Sequence, residues 1–229
     1  MNNQKLLVAG VDEAGRGPLI GDMFMAIVVV EEEKLRILEQ SGVRDSKKLT
    51  REKREKLLPL ILSIANFVAV HRITPDQIDK YNINMLELES LVRLVKLALT
   101  FHPVKRVFID AFTNPTTITS ALHTIKEDVD VIAEYNADSK YIAVSSASIV
   151  AKVLRDWHID QLKKVYGDIG SGYPSDKRTV EWLQNYYKKF GELPSVVRKS
   201  WKTIERILGI PTKKQKSLEE YIEKGKVEE

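Results

Sequence analysis

The chain contains no cysteine, which excludes disulfides and any zinc site built on thiolates, and which is compatible with a reducing compartment. Long apolar runs are missing too. The opening MNNQKLLVAGVDE carries too short an apolar stretch for a secretory signal, and nowhere are there enough consecutive apolar residues to cross a bilayer as a helix. No internal repeat is found. These absences lead to the expectation of a soluble, cytoplasmic monomer with no membrane partner.

What is present fits a folded body. With 229 residues, 43% of them hydrophobic, the chain suits one large domain, or one domain with an appendage, around a sizeable core. Lys and Arg number 36 against 32 Asp and Glu, a net charge of +4, and the pI is near 9.0. That balance permits a polyanionic partner without demanding one. Charged residues make up 30% of the chain, with many Lys and Glu, as would suit a heat-adapted source.

Hydrophobic periodicity predicts five strands: Lys5 to Val11, Met23 to Val30, the NFVAVHRIT segment, KRVFID and VDVIAEY. Thr50 reads as the N-cap of a helix running towards Ser63. A second helix lies in NMLELESLVRLVKLALTF, with Leu88, Leu91, Val92, Val95 and Leu99 at helical spacing and Asn84 as its cap, and a short one runs near Thr119 to Lys126. The longest is expected from about Ser145 to Tyr166, stopped by Gly167. Its Val150, Val153, Leu154, Trp157 and Val165 form an apolar stripe, with Ser145, Ser148, Lys152 and Arg155 opposite, on a face left free to meet something polar. Strands interleaved with helices, the first three strands in quick succession, predict an α/β fold: a mixed five-stranded sheet flanked by helices. After GSGYPSD the pattern turns helical, near Lys177 to Phe190 and Trp201 to Leu208, which places a C-terminal helical appendage at 171–229 after a main domain at 1–170. From Lys213 the tail alternates Lys and Glu, and a solvated helix or disorder is expected there.

Acids recur at the ends of strands. Asp12 and Glu13 follow LLVAGV, Asp110 closes KRVFID, and Asp138 comes shortly after VDVIAEY. Taken singly, each reads as a cap, a turn residue or an ion-pair partner. Taken together they would repel one another at buried strand ends, and a divalent cation relieves that cost. Hard oxygen ligands suit magnesium or manganese, and a two-metal site with ions about 3.5–4 Å apart suits in-line attack on a phosphodiester. Successive strand side chains face opposite ways, so Asp12 and Glu13 converge only if the strand has ended; otherwise Glu13 acts through its main-chain carbonyl or from outside the ligand ring. Just beyond, Gly15 and Gly17 permit close backbone approach and positive φ while Pro18 stiffens the exit. A Gly-x-Gly by itself reads as a structural turn.

Five motifs, in the order GVDEAGRGPLIG, VRDSKKLT, VFIDA, NADSKYIAVSSASIVAKVLRD and GSGYPSD, together resemble ribonuclease HII, the type 2 ribonuclease H. The resemblance runs from about residue 6 to 205. It implies a ribonuclease H-like sheet and an endoribonuclease that hydrolyses the RNA strand of RNA–DNA hybrids, and that cuts at ribonucleotides embedded in duplex DNA to leave 3′-hydroxyl and 5′-phosphate ends. The family's metal-binding carboxylates match Asp12, Glu13, Asp110 and Asp138. Its ribose-sensing glycine-arginine-glycine matches Gly15, Arg16 and Gly17, and the tyrosine that stacks near the 2′-hydroxyl matches Tyr173.

The physical expectation agrees with that resemblance. Two magnesium or manganese ions would share Asp12, with Asp110 and Asp138 on one each, so no protein nucleophile is needed. The four histidines, His71, His102, His123 and His158, lie away from the acidic motifs, and none is expected to be catalytic. Choosing RNA requires a group that bonds the 2′-hydroxyl, a task suited to the backbone at residues 15–17. Phosphate contacts are expected from Lys47, with Ser146, Ser148 and Lys152 on the long helix as further candidates. RKSWK, at Arg198 to Lys202, mixes cations with an aromatic as duplex binders do, though Trp201 also reads as a core anchor. Two rival readings remain: a resolvase or DNA nuclease on the same kind of sheet, which would not need a ribose sensor, and a hybrid-binding module, which would not need all four carboxylates.

Overall fold

The computed structural model describes residues 6–44, 46–126 and 128–211, so the charged tail expected from Lys213 lies outside the described residues. Five strands form one sheet: β1 Leu7–Ala14, β2 Met23–Glu31, β3 Phe67–Ile73, β4 Val104–Asp110 and β5 Asp130–Glu134, in the spatial order β3-β2-β1-β4-β5. β1 pairs antiparallel with β2 from Leu7↔Glu31 to Ala14↔Phe24, and parallel with β4, which in turn pairs parallel with β5. The expected mixed sheet is therefore present. Eight α-helices accompany it among the described residues: α1 Leu35–Gln40, α2 Arg51–Ile64, α3 Pro75–Lys80, α4 Ile83–Phe101, α5 Pro115–His123, α6 Ile142–Tyr166, α7 Lys177–Phe190 and α8 Lys202–Leu208.

Capping explains which helix ends were predictable. Thr50 accepts from the Lys53 amide ahead of α2, and Asp176 accepts from the Arg178 amide ahead of α7, which Gly191 ends at φ 73°. Both helices lie close to where the sequence puts them. The cap of α4 differs from expectation: Asn84 lies inside the helix, and the Asn82 side chain accepts its amide at 2.9 Å. α1 and α3 are too short to show a periodic stripe, and neither is among the helices expected from the sequence.

The described chain forms two compact units that are not consecutive segments. The first takes the chain through Ala14, then Phe24–His71 and Glu87–Leu154; the second takes Gly15–Met23, Arg72–Leu86 and the chain from Arg155 onward. In the first unit both faces of the sheet are covered, so strand residues alternate between two apolar layers. Val8, Ala14, Ala26, Val28, Val30 and Phe108 join Leu58 and Ile61 of α2 and Val144, Ala147 and Val150 of α6. Ala9, Val11, Ile27, Val29, Val107 and Ile109 join Leu91, Leu94 and Val95 of α4 and Ile118 and Leu122 of α5. Burial on both sides is why β1 and β2 read as continuous apolar runs rather than alternating ones. The second unit has its own core, with Leu19, Ile20, Ile159, Ile169, Leu183, Val197 and Ile204 buried together.

Two sequence expectations change here. β1 does not stop at Val11 but carries Asp12 and Glu13 within the ladder, paired with Ala26 and Met25. And α6 has no free polar face in its first half: Ser145, Ser146 and Ser148 are fully buried, whereas Trp157 and Val165 of the supposed apolar stripe are 43% and 74% exposed. The cause is the closeness of α6 to β1. A Cβ on Gly10 would lie 2.0 Å from the Ala143 carbonyl carbon, so only glycine lets the helix settle this far onto the strand, and nothing there can yield because the obstacle is backbone. Gly10→Ala is accordingly expected to destabilise the protein by about 3 kcal/mol or more, or to prevent folding; a urea unfolding midpoint within error of the parent protein would contradict this packing.

Candidate active site

The site lies in the first unit, where the sheet register brings acids together. Val11 pairs with Ile109, so the next residues along β1 and β4 are Asp12 and Asp110. Asp12 follows Val8 and Gly10 on the face turned to α6, and Glu13 follows Ala9 and Val11 on the other. Beyond β5, Asn136 takes a left-handed conformation, φ 59° and ψ 35°, which a short polar side chain tolerates. That turn sends the Ala137 amide onto Asp110 Oδ1 at 2.9 Å and opens the 3-10 turn Ala137–Ser139 that holds Asp138. Asp12, Asp110 and Asp138 each offer an oxygen within 4.8 Å of the others'. Glu13 lies outside this triad; its amide donates to Asp12 Oδ1 at 2.7 Å.

Asp12 and Asp138 are buried and Asp110 partly so. Burial first, then the charges of Glu13 and Asp110, raise the Asp12 carboxyl well above the usual carboxylate range, against the pull of Ser148 and Lys152. Asp110 is raised too, by burial first and then by Asp138, with the Ala137 amide opposing. Two ammonium groups answer them. Lys47 Nζ sits 3.2 Å from Asp138 Oδ1, and although burial works to lower its pKa, the carboxylates carry it upward. Lys152 is lowered by burial despite Asp12 and Asp138. It donates to the Ser46 hydroxyl, which lies 2.7 Å from Ser148 Oγ and 3.5 Å from Asp138 Oδ2. Lys47, Ser148 and Lys152 thus converge on the acids. Ser146 does not: its hydroxyl donates to the Ile142 carbonyl one turn back at 2.8 Å. Ser46 was not singled out in the sequence; its place before the two lysines of DSKK was the available signal.

Three crowded carboxylates, with the pKa values of Asp12 and Asp110 raised, offer hard oxygen donors that fit a divalent cation, which adds the positive charge that two ammonium groups do not supply.

The glycine-flanked arginine belongs to the second unit. Gly15 has φ 91°, and a Cβ there would come 2.8 Å from the Asp22 carbonyl; at Gly17 it would meet the Tyr173 ring at 3.6 Å. Tyr173 follows Gly172, whose carbonyl accepts the Leu19 amide at 2.7 Å, and its ring lies 4.9 Å beneath the Arg155 guanidinium, which also donates to the Ser171 carbonyl. Arg16 bonds Asn84 Oδ1 at 2.6 Å. Gly15, Arg16, Gly17 and Tyr173 are therefore neighbours, although more than 150 residues separate Gly17 from Tyr173 in the chain. From the same unit, Arg198 of RKSWK proves completely buried rather than surface-facing, and Trp201 packs with Met23, Ile73 and Ile78 as a core anchor.

A β3-β2-β1-β4-β5 mixed sheet with metal-competent acids on the adjacent strands β1 and β4 defines a nuclease of the ribonuclease H type. The ribonuclease HII family profile matches residues 9–204. Ribonuclease HII of Pyrococcus horikoshii is 43% identical over 217 residues, 94% of this chain and 99% of that protein. The crystal structure of ribonuclease H2 from Pyrococcus horikoshii OT3 superposes with a TM-score of 0.80 at 43% identity, covering 88% of this chain and 97% of that one. The RNase HII of Archaeoglobus fulgidus, solved in complex with PCNA, superposes at 0.77 with 36% identity, covering 93% and 99%. The chain belongs to the ribonuclease HII family. It is a metal-dependent ribonuclease, an endonuclease for the RNA of RNA–DNA hybrids. No helix among the described residues is long and apolar enough to cross a membrane.

Crowding of the acids has a measurable sign. Because the folded-state pKa of Asp12 is raised, its contribution to stability is fully present below pH 3.8, the ordinary aspartate value, and is lost as pH rises through the folded pKa. Metal-free Asp12→Asn should therefore be at least as stable as the parent at pH 7 and depend less on pH between 4 and 8. Magnesium or manganese should raise the parent's Tm by about 3 °C or more at saturating concentration and the variant's by less. Equal metal-induced shifts in calorimetry would contradict the site.

Proposed function

We propose that this ribonuclease also cuts on the 5′ side of ribonucleotides embedded in duplex DNA, by two-metal hydrolysis that leaves 3′-hydroxyl and 5′-phosphate ends. The observation that carries the chemistry is the buried triad of Asp12, Asp110 and Asp138, with oxygens within 4.8 Å of one another. These three would hold the ions, with Glu13 contributing from the adjacent position on β1. Bound magnesium or manganese supplies an activated water and stabilisation of the charge that develops on the leaving oxygen. Lys47, whose side chain is 55% exposed while its ammonium rests on Asp138, would meet a non-bridging phosphate oxygen once cations neutralise the acids. Ser148 and Lys152 orient the acids from the α6 side. No serine or histidine nucleophile is required.

Choice of sugar is assigned to Gly15, Arg16, Gly17 and Tyr173. Backbone groups of residues 15–17 would bond the 2′-hydroxyl, and the Tyr173 ring, beside Gly17, would pack on the sugar at the RNA–DNA junction. A polar site left unpaired by a missing hydroxyl can discriminate by about 10⁴ or more. In the chain this segment begins one residue after Ala14 and two after Glu13, so the acids and the sensor share one short stretch.

A DNA duplex carrying one ribonucleotide, incubated with magnesium or manganese beside an all-DNA control, tests the reading: only the first should be cut, 5′ of the ribonucleotide. Cleavage of both would favour a DNA nuclease and remove the sugar sensor, and binding without cleavage would favour a hybrid-binding module. Asp12→Asn and Asp138→Asn should each lower kcat/KM by about a thousandfold or more, a loss of several kcal/mol of transition-state stabilisation. Residual rates within tenfold of the parent would refute their role as ligands.

A further inference from the structure

Arg198 is a completely buried arginine, and its guanidinium makes four hydrogen bonds, all to main-chain carbonyls. Nη2 donates to Gly15 O at 2.6 Å and to Gly21 O at 2.9 Å, Nη1 to Arg16 O at 2.8 Å, and Nε to Gly21 O at 3.1 Å. Its face lies 5.6 Å over the Trp201 ring. Burying a guanidinium is strongly unfavourable unless its donors are satisfied. Burial, with Arg155 nearby, pushes its pKa down to about 10. A side chain held at that cost needs a task that an apolar residue of the same volume would not perform.

Anchoring the loop is not that task, because the backbone already does it. Ile20 pairs with Val197 in an antiparallel bridge, the Arg198 amide donates to Leu19 O at 2.9 Å, and the Gly21 amide donates to Val196 O at 2.8 Å. What the guanidinium adds is the direction of two peptide planes. In a trans peptide the carbonyl of one residue and the amide of the next point opposite ways, and the described chain has no cis peptide. Locking Gly15 O and Arg16 O inward on Arg198 turns the amides of Arg16 and Gly17 outward. Gly17 is exposed, and the position its Cβ would take lies 3.6 Å from the Tyr173 ring.

We infer that Arg198 is a positioning residue for sugar selection: by holding the carbonyls of Gly15 and Arg16, it aims the Arg16 and Gly17 amides at the ribose 2′-hydroxyl. This rests on the proposed sensing role of residues 15–17. Arg198 itself touches no substrate. Its loss should lower the preference for RNA-containing duplexes rather than affinity in general.

The test compares affinities by fluorescence anisotropy in magnesium, in an Asp12→Asn background that binds without cutting. The probes are a duplex with one ribonucleotide and the same duplex in all-DNA form. Arg198→Lys and Arg198→Gln should each reduce the ratio of the two affinities by about tenfold or more while the all-DNA affinity stays within about twofold. A purely structural loss would lower the folded fraction, seen in circular dichroism melts, and weaken both duplexes equally with the ratio intact. Gly17→Ala, whose added methyl makes only ordinary contact within the fold, separates the two levels of the reading. If Gly17→Ala collapses the ratio and the folded Arg198 variants do not, sensing by the loop stands and the part given to Arg198 is overturned. If none of the three changes the ratio, the sensing role fails and the inference with it. Failure of both Arg198 variants to fold would make the residue a folding determinant and overturn the inference as well.

Discussion

The seating of α6 on β1 at Gly10 is the contact on which the first unit depends. With no side chain on Gly10, the helix approaches until its backbone at Ala143 fills the space where a Cβ would be. The whole start of α6 then enters the core, so Ala143, Val144, Ala147 and Val150 pack with Val8, Ala26 and Val28. The same seating commits Ser148 and Lys152, farther along the helix, to the electrostatics of Asp12. Polar residues that could have faced water instead complete a buried site. Apolar packing supplies the stability that allows acids to be gathered against their mutual repulsion.

Charge is managed oppositely in the two units. In the first, three carboxylates face two ammonium groups, and burial first, then the neighbouring carboxylates, raises the pKa values of Asp12 and Asp110. That crowding is what suits the site to a divalent cation. In the second, Arg198 is buried with four hydrogen bonds from its guanidinium to main-chain carbonyls, which hold the side chain in place although burial, with Arg155 nearby, still pushes its pKa down to about 10. Asp22 is similar: burial works to raise its pKa, but His158 at 3.5 Å and Arg72 outweigh it and hold it below the ordinary range. An uncompensated cluster marks chemistry, and a compensated one marks shape.

Much of this was legible in the chain. The five strands, α2 and α7 were readable because local signals set them: apolar runs bounded by turn residues, Thr50 as the cap of α2, and a helical pattern after GSGYPSD whose ends the structure shows to be Asp176 and Gly191. Asp12, Asp110 and Asp138 were readable together because acids gathered at buried strand ends are costly unless used, whereas the glycine-flanked Arg16, by itself a structural turn, was readable only through the resemblance to ribonuclease HII. The short helices α1 and α3, and the true cap of α4 at Asn82, were hidden because one or two turns leave too little periodicity.

The sequence by itself therefore determined the strands and the longer helices, the family and the residue types of the site, since these follow from local pattern and from motifs within single segments. Tertiary structure alone decided how they are used. The β1 ladder runs on through Glu13, so register and not composition turns Asp12 and Glu13 to opposite faces. The depth of α6 made Ser148 part of the acidic cluster while Ser146 bonds its own helix. The fold also buried Arg198, which in RKSWK looks like one more surface cation, against the carbonyls of a loop more than 170 residues away in the chain. Burial and register are properties of contacts between distant segments, and no single segment encodes them.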